Sequence, residues 1–197
     1  MLEFSARSCQ KLKVTNRQME IIMGCLLGDA YIHPRGQIQI EQSFKQFPYL
    51  IWKYKELSSL AYGFPSRVER FDQRYQKTYL SNRFWLRQFF RPLRLIFYPK
   101  GKKIFPKGEI LKYFTNLSLA VWHMDEGNLS NKKDVKIATD GFDKKSLKKI
   151  QNFLLEKFGL KSTIQSSGKL RIRNESLGDF FKLIKPHIHP SMKYKIP

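Results

Sequence analysis

The sequence predicts an α+β protein in which two similar halves share one chain. Three observations predict it: a helix followed by alternating strands occurs twice, each first helix ends in acidic residues, and each half closes on a lysine, an isoleucine and a proline. We place the boundary after Pro106, so that residues 1–106 and 107–197 are the two halves. The shared order predicts a duplicated α-β-β-α-β-β-like unit with a pseudo-two-fold axis.

The first helix of each half has its own sequence signals. Thr15, followed three residues later by Gln18, has the form of a capping box, and an apolar run at residues 21–27 continues the helix. In the second half, apolar residues recur at helical spacing over residues 111–122 and predict a helix that ends near Gly127. We therefore expect one long apolar helix near the start of each half.

Strands and a second helix follow in the same order in each half. Residues 37–42 alternate polar and apolar side chains, and residues 136–139 do so more weakly, which is typical of strands with one buried face. Gly63 and Gly159 are expected to form the left-handed C-terminal caps of the second helices. The second helices are predicted at residues 49–62 and 144–158, and the later strands at residues 67–71, 77–83, 162–165 and 169–173.

The ends of the two halves also correspond. Residues 89–106 and 180–197 have the same length and share a Phe pair, a proline and several lysines in the same order. Each segment has a lysine just before its closing isoleucine, at Lys103 and at Lys195. Their recurrence makes these two lysines candidates for equivalent roles in the two halves.

The charge of the chain indicates a polyanionic partner. The 197 residues contain 37 Lys and Arg against 16 Asp and Glu, and the net charge of +21 is shared by both halves. Basic groups near phosphates release condensed counterions, so this excess favours nucleic acid binding. The sequence contains no apolar run of about 18 residues, so we expect no membrane span, and no secretory signal is apparent. Cys9, Cys25 and four histidines predict neither a disulfide framework nor a zinc finger, so a reducing compartment is expected.

Two acids stand where the first helices are predicted to end. Asp29 follows Gly28, and Glu126 follows Asp125. Gly24 and Gly28 permit close backbone approach, so an internal two-fold axis would bring Asp29 and Glu126 side by side. Adjacent carboxylates at helix C-termini are unfavourable, and a hard cation such as Mg²⁺ would relieve their repulsion. The alternative interpretation is that both acids are solvent-exposed helix ends.

Two segments resemble a known pair of motifs. Residues 22–30 (IMGCLLGDA) and 119–127 (LAVWHMDEG) resemble the paired LAGLIDADG motifs of homing endonucleases. The similarity covers nearly the whole chain and is closest to single-chain, intron-encoded members with two motifs. Ala30 replaces the final glycine of the first motif, and Glu126 stands where aspartate is commoner. The resemblance implies αββαββα halves, two antiparallel saddle-like sheets that straddle DNA, and motif helices paired at the interface.

The resemblance also implies a metal site. It makes Asp29 and Glu126 the carboxylates that bind Mg²⁺ or Mn²⁺, one for each DNA strand. The main-chain oxygens of Gly28 and Asp125 are further candidate ligands, and the Asp125 side chain ranks below that of Glu126. His123, one turn before Glu126, is expected to be an interior or interface group rather than a base.

The activity implied by the resemblance is cleavage of both strands of double-stranded DNA at a long target site, with short 3′ overhangs. Lys103 and Lys195 resemble the basic active-site residues of the family, and ordinary phosphate contact is the alternative for both. The expected protein is a monomer without a membrane partner, in a mitochondrion or chloroplast. Two other functions fit the same fold: an RNA maturase that helps its host intron splice, and a DNA-binding protein without catalysis.

Polar side chains on or beside the alternating strands are candidates for DNA contact. A two-stranded ribbon fits the major groove, where Arg pairs with guanine and Gln with adenine. A shift of one residue exchanges the two faces of a strand, so the face that meets DNA stays open from the sequence. The candidates are Arg35, Gln37, Gln39, Glu41, Arg67, Arg70, Lys77 and Arg83 in the first half, and Lys136, Lys161, Lys169, Arg171 and Arg173 in the second.

Overall fold

A computed structural model describes residues 2–5, 10–131 and 133–197 of the chain. Cys9 lies outside the described residues, and Cys25 is a buried free thiol. Both halves have the predicted αββαββα order. The first half contains α1 (Asn16–Leu27), β3 (Tyr31–Ile32), β4 (Ile38–Ser43), α2 (Phe47–Leu57), β5 (Ser66–Asp72), β6 (Lys77–Leu86) and α3 (Arg91–Phe97), preceded by β1 (Leu2–Ser5) and β2 (Lys11–Val14). The second half contains α4 (Asn116–Glu126), β7 (Gly127–Ser130), β8 (Asp134–Ile137), α5 (Lys144–Phe158), β9 (Ser162–Ile164), β10 (Leu170–Ile172) and α6 (Leu177–Ile184).

The two main sheets have the same topology. Among the described residues, the strand order is β3-β4-β6-β5 in one four-stranded sheet and β7-β8-β10-β9 in the other, and all pairs are antiparallel. When the strands of each sheet are numbered one to four along the chain, both sheets have the order 1-2-4-3. The predicted α+β class and the duplication are therefore confirmed.

The pairing of α1 with α4 joins the two halves. A Cβ atom added to Gly24 would lie 2.6 Å from Ser118 O, so only glycine allows this approach of the two backbones. One turn later, a Cβ atom on Gly28 would lie 2.6 Å from the Asp125 Cβ. The helix ends that carry the two acids are therefore in contact, as the glycine spacing predicted.

Capping interactions set the start of both motif helices. Thr15 Oγ1 accepts the Gln18 N–H at 3.1 Å, and Gln18 Oε1 accepts the Thr15 N–H, which confirms the predicted capping box. In the second half, Ser118 Oγ accepts the Thr115 N–H at 3.1 Å. The helix therefore begins at Asn116, and residues 109–113 form a 3₁₀ turn before it rather than part of the predicted helix.

Two other features differ from the predictions, and one agrees with them. The helix α2 ends at Leu57 and continues as a 3₁₀ turn over Ser58–Leu60, so Gly63 is not its cap. Gly159, with φ of 67°, caps α5 as predicted. The β1–β2 hairpin was not predicted, because its strands have only four residues each, too few for their alternation to stand out.

The Phe pairs at the ends of the halves are not equivalent in the structure. Phe90 precedes α3, whereas Phe180 lies inside α6. Both are fully buried, so one phenylalanine enters the core from just before its helix and the other from within its helix. Within the described residues no helix is long and apolar enough to cross a lipid bilayer.

Candidate active site and DNA-binding surface

The two acids lie at the C-terminal ends of the paired helices. Asp29 follows Gly28, the C-terminal cap of α1, and its side chain is exposed. Glu126 is the last residue of α4 and is half-buried. Burial, together with the charges of Asp29 and Asp125, raises the pKa of Glu126 to about 7. Negative charge is therefore crowded at this end of the interface.

The two lysines occupy equivalent positions beside the acids. Lys103 Nζ donates to the carbonyl oxygens of Leu27 and Gly28 at 3.3 and 3.1 Å. Lys195 Nζ donates to those of Met124 and Asp125 at 2.5 and 3.1 Å. These are helix C-terminal carbonyls, which have no partner within their own helix. Each lysine thus reaches the two carbonyls directly before the acid of its half.

Burial also shifts the pKa of the two lysines. It lowers the pKa of Lys103 to about 8, against the opposing effect of the nearby acids. Burial lowers the pKa of Lys195 as well. A lysine with a lowered pKa exchanges protons more readily near neutral pH than an exposed one.

Asp125 occupies the space that Gly28 leaves open, and its side chain is fully buried. Asp125 Oδ1 accepts hydrogen bonds from Lys53 Nζ at 2.6 Å, from Tyr49 OH at 3.0 Å and from Gln42 Nε2 at 3.2 Å. The side chain is therefore held inside the protein. Its main-chain oxygen accepts a hydrogen bond from Lys195, just as that of Gly28 accepts one from Lys103.

Gln42, Tyr49 and Lys53 were not among the site residues predicted from the sequence. Gln42 continues the buried positions of Ile38 and Ile40 along β4 and is 3% exposed, so a polar residue in the apolar register was a usable signal. For Lys53 no such signal exists, since a lysine on a helix normally faces solvent.

The donor set fits a hard divalent cation. Two carboxylates and two main-chain oxygens supply oxygen ligands only, which is the set that Mg²⁺ or Mn²⁺ prefers. The Oδ2 atom of Asp125 is buried beside the site without a hydrogen-bond partner, although Oδ1 of the same carboxylate is paired with Lys53. Within the described residues no three His, Cys, Asp or Glu side chains are grouped to hold a metal ion by themselves. A cation here would need further oxygen ligands from outside the protein.

His123 is interior, as predicted. Its side chain is fully buried, its Nε2 lies 2.9 Å from Lys195 O, and its ring packs edge-on against Phe180. Burial lowers the pKa of His123 to about 4, so the ring is neutral at physiological pH. It supports the segment that carries Lys195.

The burial pattern defines the open face of each sheet. Ile38 and Ile40 of β4 and Phe84 and Leu86 of β6 are buried on one face of the sheet. Glu41 lies opposite Arg83 on the other face. Arg67 pairs in register with Asn82 and so lies on the face opposite to that of Arg83, with its guanidinium 5.9 Å from the Phe44 ring. The open faces, extended by neighbouring residues in the same alternation, include Gln37, Gln39, Glu41, Arg70, Lys77 and Arg83 in the first half, and Lys136, Lys161, Lys169, Arg171 and Arg173 in the second.

Acidic residues on these faces are paired with arginines. Arg70 Nη2 donates to Glu41 at 2.8 Å, and Arg171 Nε donates to Asp134 at 2.6 Å. Arg35 lies in the exposed loop between β3 and β4, beside the first open face. Each half therefore presents a basic surface in which at least one guanidinium is oriented by a carboxylate.

The chain thus consists of two αββαββα halves, and each half contributes one acid and one lysine to a shared helix interface. This combination defines a class of nucleic acid enzymes and their relatives. The profile of the LAGLIDADG DNA endonuclease family matches residues 19–180. The chain belongs to this family.

Several relatives are similar over most of the chain. "Cytochrome b mRNA maturase bI2" of Debaryomyces hansenii is 29% identical, over 90% of this chain and 72% of its own length. The protein of the same name from Saccharomyces cerevisiae is 30% identical, and the match covers 90% of this chain but 47% of that protein. The chain thus spans about half the length of the Saccharomyces relative.

Two other similarities are to endonucleases. "Probable intron-encoded endonuclease 1" of Wickerhamomyces canadensis is 28% identical, over 91% of this chain and 83% of its own length. Among solved structures, the homing endonuclease I-WcaI bound to its DNA recognition sequence superimposes with a TM-score of 0.83 at 27% identity, over 94% of this chain and 88% of that one.

Proposed function

We propose that the chain is a site-specific endonuclease that cuts both strands of a long double-stranded DNA target and leaves short 3′ overhangs. The observation that carries the proposal is the pairing of α1 and α4, because it brings one acid and one lysine of each half to a single interface. With two motifs in one chain, a monomer provides one set of groups for each strand. By analogy with intron-encoded relatives, we propose a mitochondrial or chloroplast location.

In the proposed reaction, a water molecule attacks a phosphodiester and the 3′ oxygen leaves. Asp29 and Glu126 would hold Mg²⁺ or Mn²⁺ together with the main-chain oxygens of Gly28 and Asp125. A bound divalent cation would act there as a Lewis acid towards the scissile phosphate. DNA phosphate oxygens and water would supply the remaining ligands.

The lysines would act on charge and on protons. Lys103 and Lys195 lie beside the two acids and can stabilise the negative charge that develops on the phosphate. The pKa of Lys103 is lowered to about 8, so its amine can also exchange a proton with an attacking water and help to orient that water. The open sheet faces, with Arg35 at their edge, would bind the flanking DNA. Arg67 would contact DNA only from the opposite face, at the sheet edge.

The first test separates binding from cleavage. Duplexes are selected for binding to the purified chain without divalent metal, and the selected target is then incubated with Mg²⁺. We expect cleavage of both strands, loss of cleavage in EDTA, and little loss of binding. Tight binding of a selected duplex that is left uncut in both Mg²⁺ and Mn²⁺ would contradict the proposal.

A second function is supported by the relatives that carry the name of cytochrome b mRNA maturases. An RNA maturase would use the same basic fold to bind its host intron. The discriminating measurement is the affinity for the host intron RNA compared with that for the insertion-site duplex at the same salt concentration, because both affinities depend strongly on salt. Much tighter RNA binding, combined with no DNA cleavage, would favour the maturase.

A further inference from the structure

Lys53 in α2 is buried in a way that lysines seldom are. Its side chain is 0% exposed, and its Nζ lies 2.6 Å from Asp125 Oδ1 and 4.4 Å from the centre of the Tyr49 ring. The Asp125 side chain is 0% exposed as well. A buried ion pair costs much desolvation free energy and is weak evidence for a purely stabilising role. The pair also crosses the interface, since Lys53 belongs to the first half and Asp125 to the second.

The pair is connected to the candidate acid of the first half by one side chain. The Gln42 amide nitrogen donates to Asp125 Oδ1 at 3.2 Å and to Asp29 Oδ2 at 2.8 Å. A side-chain amide has two hydrogens on this nitrogen, so both bonds can form at once. Asp29 is exposed, and the hydrogen bond from Gln42 restricts the rotation of its carboxylate. The order of contacts is thus Lys53, Asp125, Gln42 and Asp29.

Within residues 107–131 and 133–197, the second half has no such chain of contacts. Gly28 stands at the position that matches Asp125 and offers no side chain. In the part of the chain that the structure describes, no side chain donates a hydrogen bond to the Glu126 carboxylate. The orientation of Asp29 is therefore supported by a buried charge, and that of Glu126 is not.

We propose that Lys53 is a positioning residue for Asp29: it fixes Asp125 as a charged acceptor, and Asp125 in turn directs the Gln42 amide at the Asp29 carboxylate. This inference rests on the proposed function for its consequence in DNA cleavage. It predicts that removal of Lys53 affects the strand that depends on Asp29 more than the other strand. A residue needed only for folding would affect both strands alike.

The test compares strand-specific rates in Lys53→Met, which keeps most of the side-chain volume but removes the charge. Single-turnover cleavage is followed on a duplex with a different label on each strand. We expect one strand to be cut about 10- to 100-fold more slowly, which is the usual loss when a partner behind a metal ligand is removed, while the other strand changes little. Gln42→Met should slow the same strand.

Two further variants separate positioning from folding. Leu50→Ala in the same helix removes a buried side chain that has no part in the contacts to Asp125, so it should lower stability and leave the ratio of the two strand rates unchanged. Lys53→Met/Asp125→Asn leaves no unpaired buried charge and retains an oxygen acceptor for Gln42. We expect the double variant to regain most of the lost strand rate.

A binding readout keeps the inference separate from the proposed function. Tb³⁺ alone is titrated against the wild type, Asp29→Asn and Lys53→Met, with protein-sensitised luminescence as the signal. We expect Asp29→Asn to remove the binding step and Lys53→Met to weaken it about 10-fold. If the wild type binds Tb³⁺ through Asp29 but cuts no duplex, the proposed function fails while the inference stands. An unchanged Tb³⁺ affinity and an unchanged ratio of strand rates in folded Lys53→Met, or equal slowing of both strands, would overturn the inference. If Lys53→Met does not fold, Gln42→Met decides by the same two measurements.

Discussion

The C-terminal ends of α1 and α4 are equivalent in backbone and different in side chains. At each end two main-chain carbonyl oxygens accept hydrogen bonds from a lysine, which is Lys103 in the first half and Lys195 in the second. Beside the lysines, however, α1 ends in glycine and an exposed aspartate, whereas α4 ends in a buried aspartate and a half-buried glutamate. The close contact explains the difference, because only one of the two helices can place a side chain in the space between them. Duplication therefore preserves the contacts made by the main chain and lets the side chains diverge.

Substitution of the acids is the most severe test of this comparison. Asp29→Asn and Glu126→Gln should each abolish double-strand cleavage of the selected target, because each removes one carboxylate ligand. Neither should cost much DNA affinity, since loss of a negative charge near phosphates relieves repulsion. Strand-resolved gels and binding curves in EDTA measure the two effects.

The single-acid variants also show whether the two ends work independently. If each acid serves its own metal ion, one strand stays cleavable and the product is nicked. If one ion is shared, neither strand is cut. Full double-strand activity in either variant would remove that acid from the site.

Substitution of the lysines should have a smaller effect that is similar at both ends. Lys103→Ala and Lys195→Ala should each slow cleavage by about 10²-fold, as expected for loss of one electrostatic or proton-positioning contact. Lys102→Ala, an exposed neighbour, is the control for loss of one positive charge alone. The measurement is the single-turnover rate at saturating protein. A loss in affinity with an unchanged rate would reduce both lysines to phosphate contacts.

The close approach of the two ends depends on Gly24. Gly24→Ala would place Cβ 2.6 Å from Ser118 O, a backbone atom that cannot move aside, so we expect a loss of about 1–3 kcal/mol in the free energy of unfolding. Gly178→Ala in α6 meets no atom within 4 Å and should stabilise the helix by up to about 1 kcal/mol. Urea denaturation of both variants tests the difference in sign, and equal effects would argue against tight pairing.

The smallest expected difference concerns pH. Three residues before the acid, α4 has His123 where α1 has Leu26. The pKa of His123 falls from 6.5 to about 4 on folding, so the unfolded chain binds the proton more tightly. This contribution to stability is complete above pH 6.5 and is lost as the pH falls towards 4, by at most about 1.4 kcal/mol per pH unit. Denaturation curves of His123→Leu should have a weaker pH dependence in this range than the wild type; the same slope in both would show that other groups cause it.

Local signals allowed much of the fold to be predicted. The Thr15 capping box, the α5 helix at Lys144–Phe158 and its Gly159 cap follow from residues close together in sequence, and all three are confirmed. The 3₁₀ turn at Ser58–Leu60 replaces a helical end without any change in apolar spacing, so the pattern could not reveal it. The roles of the individual site residues stay predictions.

Lys53 illustrates what sequence could not supply. Its burial depends on a carboxylate 72 positions away in the other half, and no local pattern encodes a contact of that kind. Gln42 differs, because its place in the buried register of β4 was visible in the alternation. Long-range charge pairing is thus the least predictable part of this site.

The segment that joins the halves has a consequence for anyone who exchanges halves between relatives. Lys103 contacts the end of α1, but Phe105, two residues later, is buried against Phe153 of α5 at 5.3 Å between ring centres, and its N–H donates to Ser146 Oγ at 3.0 Å. The chain therefore passes from contacts with the first half to contacts with the second half within three residues. A chimera joined at position 104 leaves Phe105 with the half that surrounds it, whereas one joined after Pro106 grafts a foreign phenylalanine ring into the second half. For this chain, an exchange of halves is therefore least disruptive at the residue between Lys103 and Phe105.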